Sequence, residues 1–219
     1  MAQKNADSRA FKAFVADSRF PCVAAKSALQ GGRIELVSAD DLRNDTHDTN
    51  ILAALYNFPH KQVTAHKFFS LAILFHNTPQ LSEESFERYL WERLAALHRL
   101  DAARFGWDRN VSADAGSPKF SMSFGGHGFY VIGMHSGASR AARRTSCPTM
   151  VFNSHSQFHL LREAELFDRM RDIIRKRDLT LQGTINPMLA DHGERSEAAQ
   201  YAGRQVPHDW VCPFKSSAK

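Results

Sequence analysis

The chain has 219 residues, of which 43% are hydrophobic and 23% charged, and a formal net charge of +5. This is ordinary globular usage, which excludes a disordered or fibrous protein, and the length fits one domain. No run approaches the roughly 18 apolar residues of a bilayer-spanning helix, and basic residues are not interleaved with aromatic ones as on a nucleic-acid stacking surface.

The first half of the chain predicts short helices alternating with strands. Apolar residues at helical spacing over 8–18 are interrupted at Phe20-Pro21-Cys22, because the residue before a proline is pushed out of the helical region. A second short helix over 24–29 ends at Gly31-Gly32. The patterns that follow predict a strand over 33–38, a loop over 40–50, a short helix over 51–56 and a buried strand over 67–75.

The longest predicted helix covers residues 83–103, with Ser82 as its N-cap. Leu90, Leu94 and Leu97 form its apolar stripe. His98 and Asp101 fall within roughly 60° of that stripe at about 100° per residue. The helix therefore carries an ionisable pair on or beside its buried face.

The second half begins with a predicted β-hairpin, in which Phe120, Met122 and Phe124 alternate with serines before a Gly-Gly turn. The strand that returns from this turn is predicted over 129–134, followed by a loop over 136–146 and a strand over 149–153. A helical pattern covers 157–178, and the tail from 181 is irregular with a short helix near 194–201.

We predict one α+β domain over residues 1–219, with its core at about 20–214. We expect a small, mainly antiparallel sheet flanked by helices.

Several separated motifs carry a resemblance to a known family. They are Phe20-Pro21-Cys22, Leu97-His98-Arg99-Leu100-Asp101, the run from Phe120 to Gly126, Val131-Ile132-Gly133-Met134-His135, the arginine loop with Arg140, Arg143 and Arg144, the run from Val151 to Phe158, the run from Ile174 to Asp178, the run from Gln182 to Ala190, Glu197 with Gln200-Tyr201, and the run from Asp209 to Phe214. Together they resemble the YqcI/YcgG family, in particular the branch with the N-hydroxylase of guanitoxin biosynthesis. Two departures are Ser136 where proline is expected and Cys147 where arginine is more common.

The resemblance implies a b-type haem held by a histidine, and oxygenation of a nitrogen atom. The expected activity is a haem-dependent monooxygenase that N-hydroxylates a guanidino or amino group of a small amino-acid-like substrate with dioxygen. An external electron donor is required, because the sequence has no flavin or nicotinamide fingerprint. A homodimer is compatible with this interpretation.

His135 and His98 are the candidate iron ligands. His135 follows a strand end, where sites are commonly built, and precedes the arginine loop. His98 lies beside the apolar stripe of the long helix, where Asp101 could orient its ring. We expect a pocket between the hairpin and the long helix, with one of the two histidines on iron.

Polar partners are predicted around the haem and the substrate. Arg140, Arg143 and Arg144 are candidates to bind the propionates or a substrate carboxylate, because a guanidinium binds such groups with two parallel hydrogen bonds. Asn186 and Glu197, in a tail that could cover the pocket, are candidates to bind a cationic substrate.

Other interpretations remain open at the level of sequence. His155 follows a strand and could cap the next helix, and a thiolate of Cys22 or Cys212 could ligate haem, although buried structural cysteine is favoured. The three widely spaced cysteines fit a reducing cytoplasm. The alternative functions are a haem-binding or gas-sensing protein without turnover, and a non-haem binding domain.

Overall fold

The computed structural model describes residues 2–188 and 194–217. Leu189 and Ala190, which end one of the motifs above, and His192 lie outside the described residues. The elements in chain order are α1 (Ala2–Ala16), α2 (Val23–Gln30), β1 (Ile34–Ala39), α3 (Asp48–Tyr56), β2 (Ser70–Phe75), α4 (Glu83–Asp101), β3 (Met122–Phe124), β4 (His127–Met134), β5 (Thr149–Ser154), α5 (His155–Glu163), α6 (Phe167–Gln182) and α7 (Ala198–Tyr201). None of the described helices is long and apolar enough to cross a membrane.

The five strands form one sheet in the order β1-β2-β5-β4-β3, which confirms the α+β prediction. The sheet is mixed, where a mainly antiparallel sheet was predicted, because β1 pairs with β2 in parallel while the remaining neighbours run antiparallel. A parallel pair needs a crossover connection between its strands. Here α3 lies in that connection, and its apolar face packs against both strands.

The two faces of the sheet are covered by different helices. Leu71, Ile73, Phe152 and Val131 point toward α3 and α4, where they form the main hydrophobic core with the apolar stripe of α4. The alternate residues of the same strands point to the opposite face, since side chains alternate along a strand. That opposite face is covered by α1, α2, α5 and α6.

The helical pattern predicted over 157–178 is two helices. Glu165 lies between them in the left-handed region, at φ 55°, which ends the continuous helix. The break allows α5 to pack on β4 and β5 while α6 packs on α2. This change of direction opens a space between the helices and the sheet.

α7 covers the edge of the sheet where β3 is too short to pair with all of β4. β3 pairs only with residues 127–129 of β4. Beyond this pairing, the Tyr201 hydroxyl lies 3.2 Å from the Phe129 carbonyl, and the Tyr130 hydroxyl donates to Gln200 Oε1 at 2.7 Å. α7 therefore reaches both the α4 core and the opposite face of the sheet.

Candidate functional site

A cavity of about 360 Å³ lies between the sheet and the helices α1, α2, α5 and α6. Tyr130, Ile132 and Met134 of β4 and Val151 and Asn153 of β5 form its floor. These are the positions that alternate with the core residues of the same strands. The volume is in the range of cofactor and small-molecule sites.

Most of the cavity wall is apolar. Phe11 of α1, Phe20, Phe68, Phe158 of α5 and Phe167 of α6 all line it. An apolar wall of this kind favours a ligand with a large hydrophobic surface, because binding removes that surface from water. The fold therefore offers an apolar site on the face of the sheet opposite α4.

His155 supplies an imidazole to this wall. It is the first residue of α5, directly after the last residue of β5. Two bonds fix the start of α5 against β2: the Ser70 hydroxyl donates to Asn153 Oδ1 at 2.6 Å, and the Phe69 N–H donates to Gln157 Oε1 at 3.1 Å. A histidine on a rigid strand-to-helix junction can act as a metal ligand or as a proton donor and acceptor.

Positive charge is concentrated on the wall formed by α5 and α6. Arg162 of α5, Arg171 and Arg175 of α6, and Arg195 all line the cavity. A guanidinium binds a carboxylate through two parallel charge-assisted hydrogen bonds. This wall can therefore hold the anionic groups of an otherwise apolar ligand.

Arg143, one of the predicted anion-binding residues, also lines the cavity. Its guanidinium donates to the Gly133 carbonyl at 2.9 Å and to the Gln200 carbonyl at 3.1 Å. Burial lowers the pKa of Arg143. These bonds to backbone carbonyls tie β4 to α7, so the position of Arg143 also fixes this end of the cavity.

Glu197, predicted as a substrate-binding residue, lines the cavity beside α7. Its Oε1 accepts hydrogen bonds from the Ser121 hydroxyl at 2.8 Å and from the Tyr201 hydroxyl at 2.5 Å. Burial raises the pKa of the Glu197 carboxyl to about 8, against the opposing effect of these bonds and of the Arg162 charge. The group can therefore exchange a proton near neutral pH, as a binding or proton-transfer residue requires.

His135 and His98 are both buried, but neither lines the cavity. The His135 ring stacks on Phe86 near the start of α4, with 4.3 Å between ring centroids. His98 lies near the end of α4, with its Nε2 3.1 Å from the Ser217 hydroxyl. Phe86 and His98 are separated by twelve residues, which corresponds to roughly 18 Å along the helix axis. The two histidines therefore do not meet in one site.

The space expected to be a pocket between the hairpin and α4 is filled by the main core. Phe86, Leu90 and Leu94 of α4 pack there against Met122 and Phe124 of β3. The alternating hairpin residues complete the hydrophobic stripe of α4. Burial lowers the pKa of both His98 and His135, as is usual for neutral core histidines.

The other predicted polar residues lie away from the cavity. Arg140 forms a buried ion pair with Asp178 of α6, at 2.5 Å between Nη2 and Oδ2. Arg144 is exposed and donates to carbonyls of its own loop. Asn186 donates its backbone N–H to the Asp178 carboxylate at 3.2 Å. Arg140 and Asn186 therefore share one structural carboxylate.

Cys22 lines the cavity at the start of α2. Its Sγ accepts the Ala25 N–H at 3.4 Å as an N-cap, and burial raises the pKa of the thiol. A raised pKa disfavours the thiolate that a haem ligand needs. Cys212 is partly buried and packs against the main core, away from the cavity.

Sequence patterns did not single out His155 or the arginines of α5 and α6. His155 follows a strand and was open to interpretation as a helix cap, and the arginines belong to the helical pattern over 157–178. One available signal was the polar run Asn153-Ser154-His155 at the end of a strand whose preceding residues are apolar. The break at Glu165, which turns α6 over the sheet, leaves no clear pattern.

The chain is similar in sequence to one bacterial protein and to one protein family. It is 26% identical over 206 residues to "Uncharacterized protein YcgG" of Bacillus subtilis (strain 168), a match that covers 89% of this chain and 80% of that protein. No solved structure matches the chain significantly. The profile of the YqcI/YcgG family matches residues 11–215, which is nearly the whole chain. The chain therefore belongs to the YqcI/YcgG family.

Proposed function

We propose that this protein is a haem-dependent N-oxygenase whose haem b binds in the cavity between the sheet and helices α1, α2, α5 and α6. The observation that carries the proposal is the combination of an apolar cavity, a histidine on its wall and a group of arginines on one side. These are the parts that a haem site needs: an axial donor, apolar contacts for the macrocycle and cations for the propionates.

The residues present fit the cofactor. We propose that His155 would bind the haem iron, because it is a cavity-lining histidine, whereas His98 and His135 pack on the opposite face of the sheet. Arg162 and Arg195 of this wall would bind the propionates, since Arg171 already forms ion pairs with Asp168 and Asp172. The aromatic side chains of α1, α5 and α6 would contact the macrocycle and exclude water.

When bound, haem supplies the activation of dioxygen, with electrons from an external donor. The protein's own groups act on the substrate. A cationic guanidino or amino group placed next to Glu197 would lower the pKa of that carboxyl, because an opposite charge favours the ionised form. Glu197 would then hold the nitrogen in place through an ion pair, while Tyr201 and Ser121 keep Oε1 oriented.

Two further properties belong to the proposal. The substrate would be a small amino-acid-like amine or guanidine, because Glu197 is an acidic group on a cavity wall that otherwise carries arginines. All three cysteines are free, as is usual in a reducing compartment, so we propose a cytoplasmic location.

The proposal is tested with purified protein expressed with a haem supply. We expect a Soret band at one haem per chain, and reductant-dependent oxygen consumption with arginine, lysine or a small guanidine. Mass spectrometry should detect a product that has gained an oxygen atom on nitrogen. Glu197→Gln should keep the Soret band and lose most of the turnover.

Two results would contradict the proposal. Absence of a Soret band after haem reconstitution would exclude haem at this site. A Soret band without substrate-dependent oxygen use, across amines and guanidines and with a competent reductant, would favour a haem-binding or gas-sensing protein without turnover.

A further inference from the structure

A second cluster of chemically reactive side chains lies outside the cavity. Asp7 of α1, His76 after β2 and Cys147 before β5 are all buried, and their ligand atoms lie within 4.8 Å of one another. None of the three lines the cavity. Carboxylate oxygen, imidazole nitrogen and thiol sulfur from three separate elements therefore converge on one point.

The sheet itself brings two of these side chains together. β2 and β5 pair antiparallel, with Leu74 opposite Thr149, and the Phe75 N–H continues the ladder to the Pro148 carbonyl at 2.9 Å. The same register continued by one residue puts His76 opposite Cys147. Directly opposed residues of an antiparallel pair have Cβ atoms about 4.5–5.5 Å apart. Their proximity is therefore a consequence of strand pairing.

The imidazole of His76 is held as in a metal ligand. Its Nε2 lies 3.1 Å from the Ser38 hydroxyl, and its Nδ1 lies 2.8 Å from Asp7 Oδ2. A metal-bound histidine typically donates its second ring N–H to an outer acceptor. Ser38 fits that acceptor, which directs Nδ1 toward Asp7 and the centre of the cluster.

The carboxylate of Asp7 is oriented in the same way. Its Oδ1 accepts hydrogen bonds from the Ser146 hydroxyl at 3.0 Å and from Gln3 Nε2 at 3.1 Å. These bonds leave Oδ2 on the side of His76. In both His76 and Asp7, one side-chain atom is hydrogen-bonded to residues outside the cluster, and the other faces the cluster.

We infer that Asp7, His76 and Cys147 form a binding site for a divalent transition-metal ion of the zinc type, separate from the proposed haem site. Thiolate and imidazole ligands select such ions over magnesium and calcium, which prefer oxygen ligands. Three protein ligands leave the fourth tetrahedral position to water. Binding would replace the 2.8 Å contact between His76 Nδ1 and Asp7 Oδ2 with bonds from both atoms to the ion.

The Cys147 thiol is the group whose presence favours a metal site over a simple hydrogen-bonded contact between α1 and the sheet. Asp7 and His76 could stabilise that contact without Cys147. The buried Cys147 Sγ lies within 4.8 Å of the ligand atoms of Asp7 and His76, where it could coordinate an ion as the thiolate.

The test uses the full-length protein with any affinity tag removed, dialysed first against a chelator and then against Zn²⁺. We expect one zinc per chain by elemental analysis. X-ray absorption at the zinc edge should contain a Zn–S distance of about 2.3 Å. That edge reports zinc even when haem iron is present, so the result does not depend on the proposed function.

Matched cysteine variants identify the sulfur. Cys147→Ser should weaken Zn²⁺ binding by more than about tenfold, since even loss of an outer partner costs 10–100-fold. The double variant Cys22→Ser/Cys212→Ser should keep both the stoichiometry and the Zn–S distance. Because it retains Cys147, this double variant tests the site even if Cys147→Ser does not fold.

Three outcomes would overturn the inference. They are absence of stoichiometric zinc in the unsubstituted protein, zinc bound without a sulfur neighbour, and loss of the Zn–S distance in the double variant. In each case the cluster is a hydrogen-bonded contact only.

Discussion

At the scale of single residues, Glu197 was predicted to bind a cationic substrate, and the structure buries its carboxyl. It lies on the cavity wall, and burial raises the pKa of its carboxyl to about 8. Between its ordinary pKa and this raised value, the folded protein binds a proton that the unfolded chain has released. The stability of the folded state should therefore fall as the pH rises through this window.

Glu197→Gln should remove this pH dependence, because glutamine resembles the protonated carboxyl and can still accept the Tyr201 hydrogen bond. Between pH 5 and 8, we expect the free energy of unfolding of the haem-free protein to fall by up to about 1.4 kcal/mol per pH unit relative to the variant. Urea unfolding at several pH values measures the difference. Parallel stability curves for the two proteins would show that Glu197 ionises normally.

The sequence indicated Arg143 through its position in the arginine loop and Glu197 through its place in the tail. His98 was chosen because it lies beside a predicted apolar stripe, and His135 because it follows a strand end and precedes the arginine loop. Burial alone does not separate a ligand from a core histidine, and both rings pack against core side chains. His155 was missed because the wall to which it belongs is assembled from distant segments.

At the scale of elements, the ion pair between Arg140 and Asp178 fixes α6 to the loop after β4. Arg140 also donates to the Thr184 hydroxyl at 3.0 Å. Arg140→Ala should lower the free energy of unfolding by about 3–5 kcal/mol, because it leaves the buried Asp178 carboxylate without its partner.

Arg144→Ala is the matched control, since Arg144 lies in the same loop but is exposed. Its effect should remain within about 0.5 kcal/mol. Chemical denaturation compares the two variants. If Arg140→Ala and Arg144→Ala lowered the free energy of unfolding equally, the positive charge of the loop, and not this ion pair, would account for the effect.

The contact between β4 and α4 depends on the absence of a side chain at Gly133. A Cβ there would lie 2.5 Å from Leu90 Cδ1 and 2.8 Å from both Phe86 Cε1 and the Tyr201 carbonyl. Gly133→Ala should therefore destabilise the fold by about 1–3 kcal/mol through overpacking.

Gly106→Ala is the control for this substitution, because nothing lies within 4 Å of the added Cβ. Thermal unfolding of both variants measures the difference. If Gly133→Ala were as stable as Gly106→Ala, α4 would not pack against β4 as closely as described.

Most elements could be predicted from the sequence because their periodicities are local. The stripe of Leu90, Leu94 and Leu97 and the N-cap Ser82 identify α4 almost to its ends. The parallel pairing of β1 with β2 and the break at Glu165 depend on long-range contacts and on one backbone conformation. Neither leaves a distinctive local pattern.

At the scale of the whole molecule, the sheet separates a tightly packed core from a cavity. The face toward α3 and α4 carries the main aromatic and aliphatic core, including the two histidines first expected to bind iron. The face toward α1, α2, α5 and α6 carries the cavity and its arginines. The proposed haem site therefore lies on the opposite side of the sheet from the site expected from the sequence.

The most direct test of this arrangement is the ferric haem spectrum of four histidine variants. His155→Ala should lose the haem or change its axial-ligand spectrum, whereas His98→Ala and His135→Ala should keep the unsubstituted spectrum wherever they fold. His159→Ala, an exposed position one turn further along α5, is the control. An unchanged spectrum in His155→Ala, or its selective loss in His98→Ala or His135→Ala, would contradict the account.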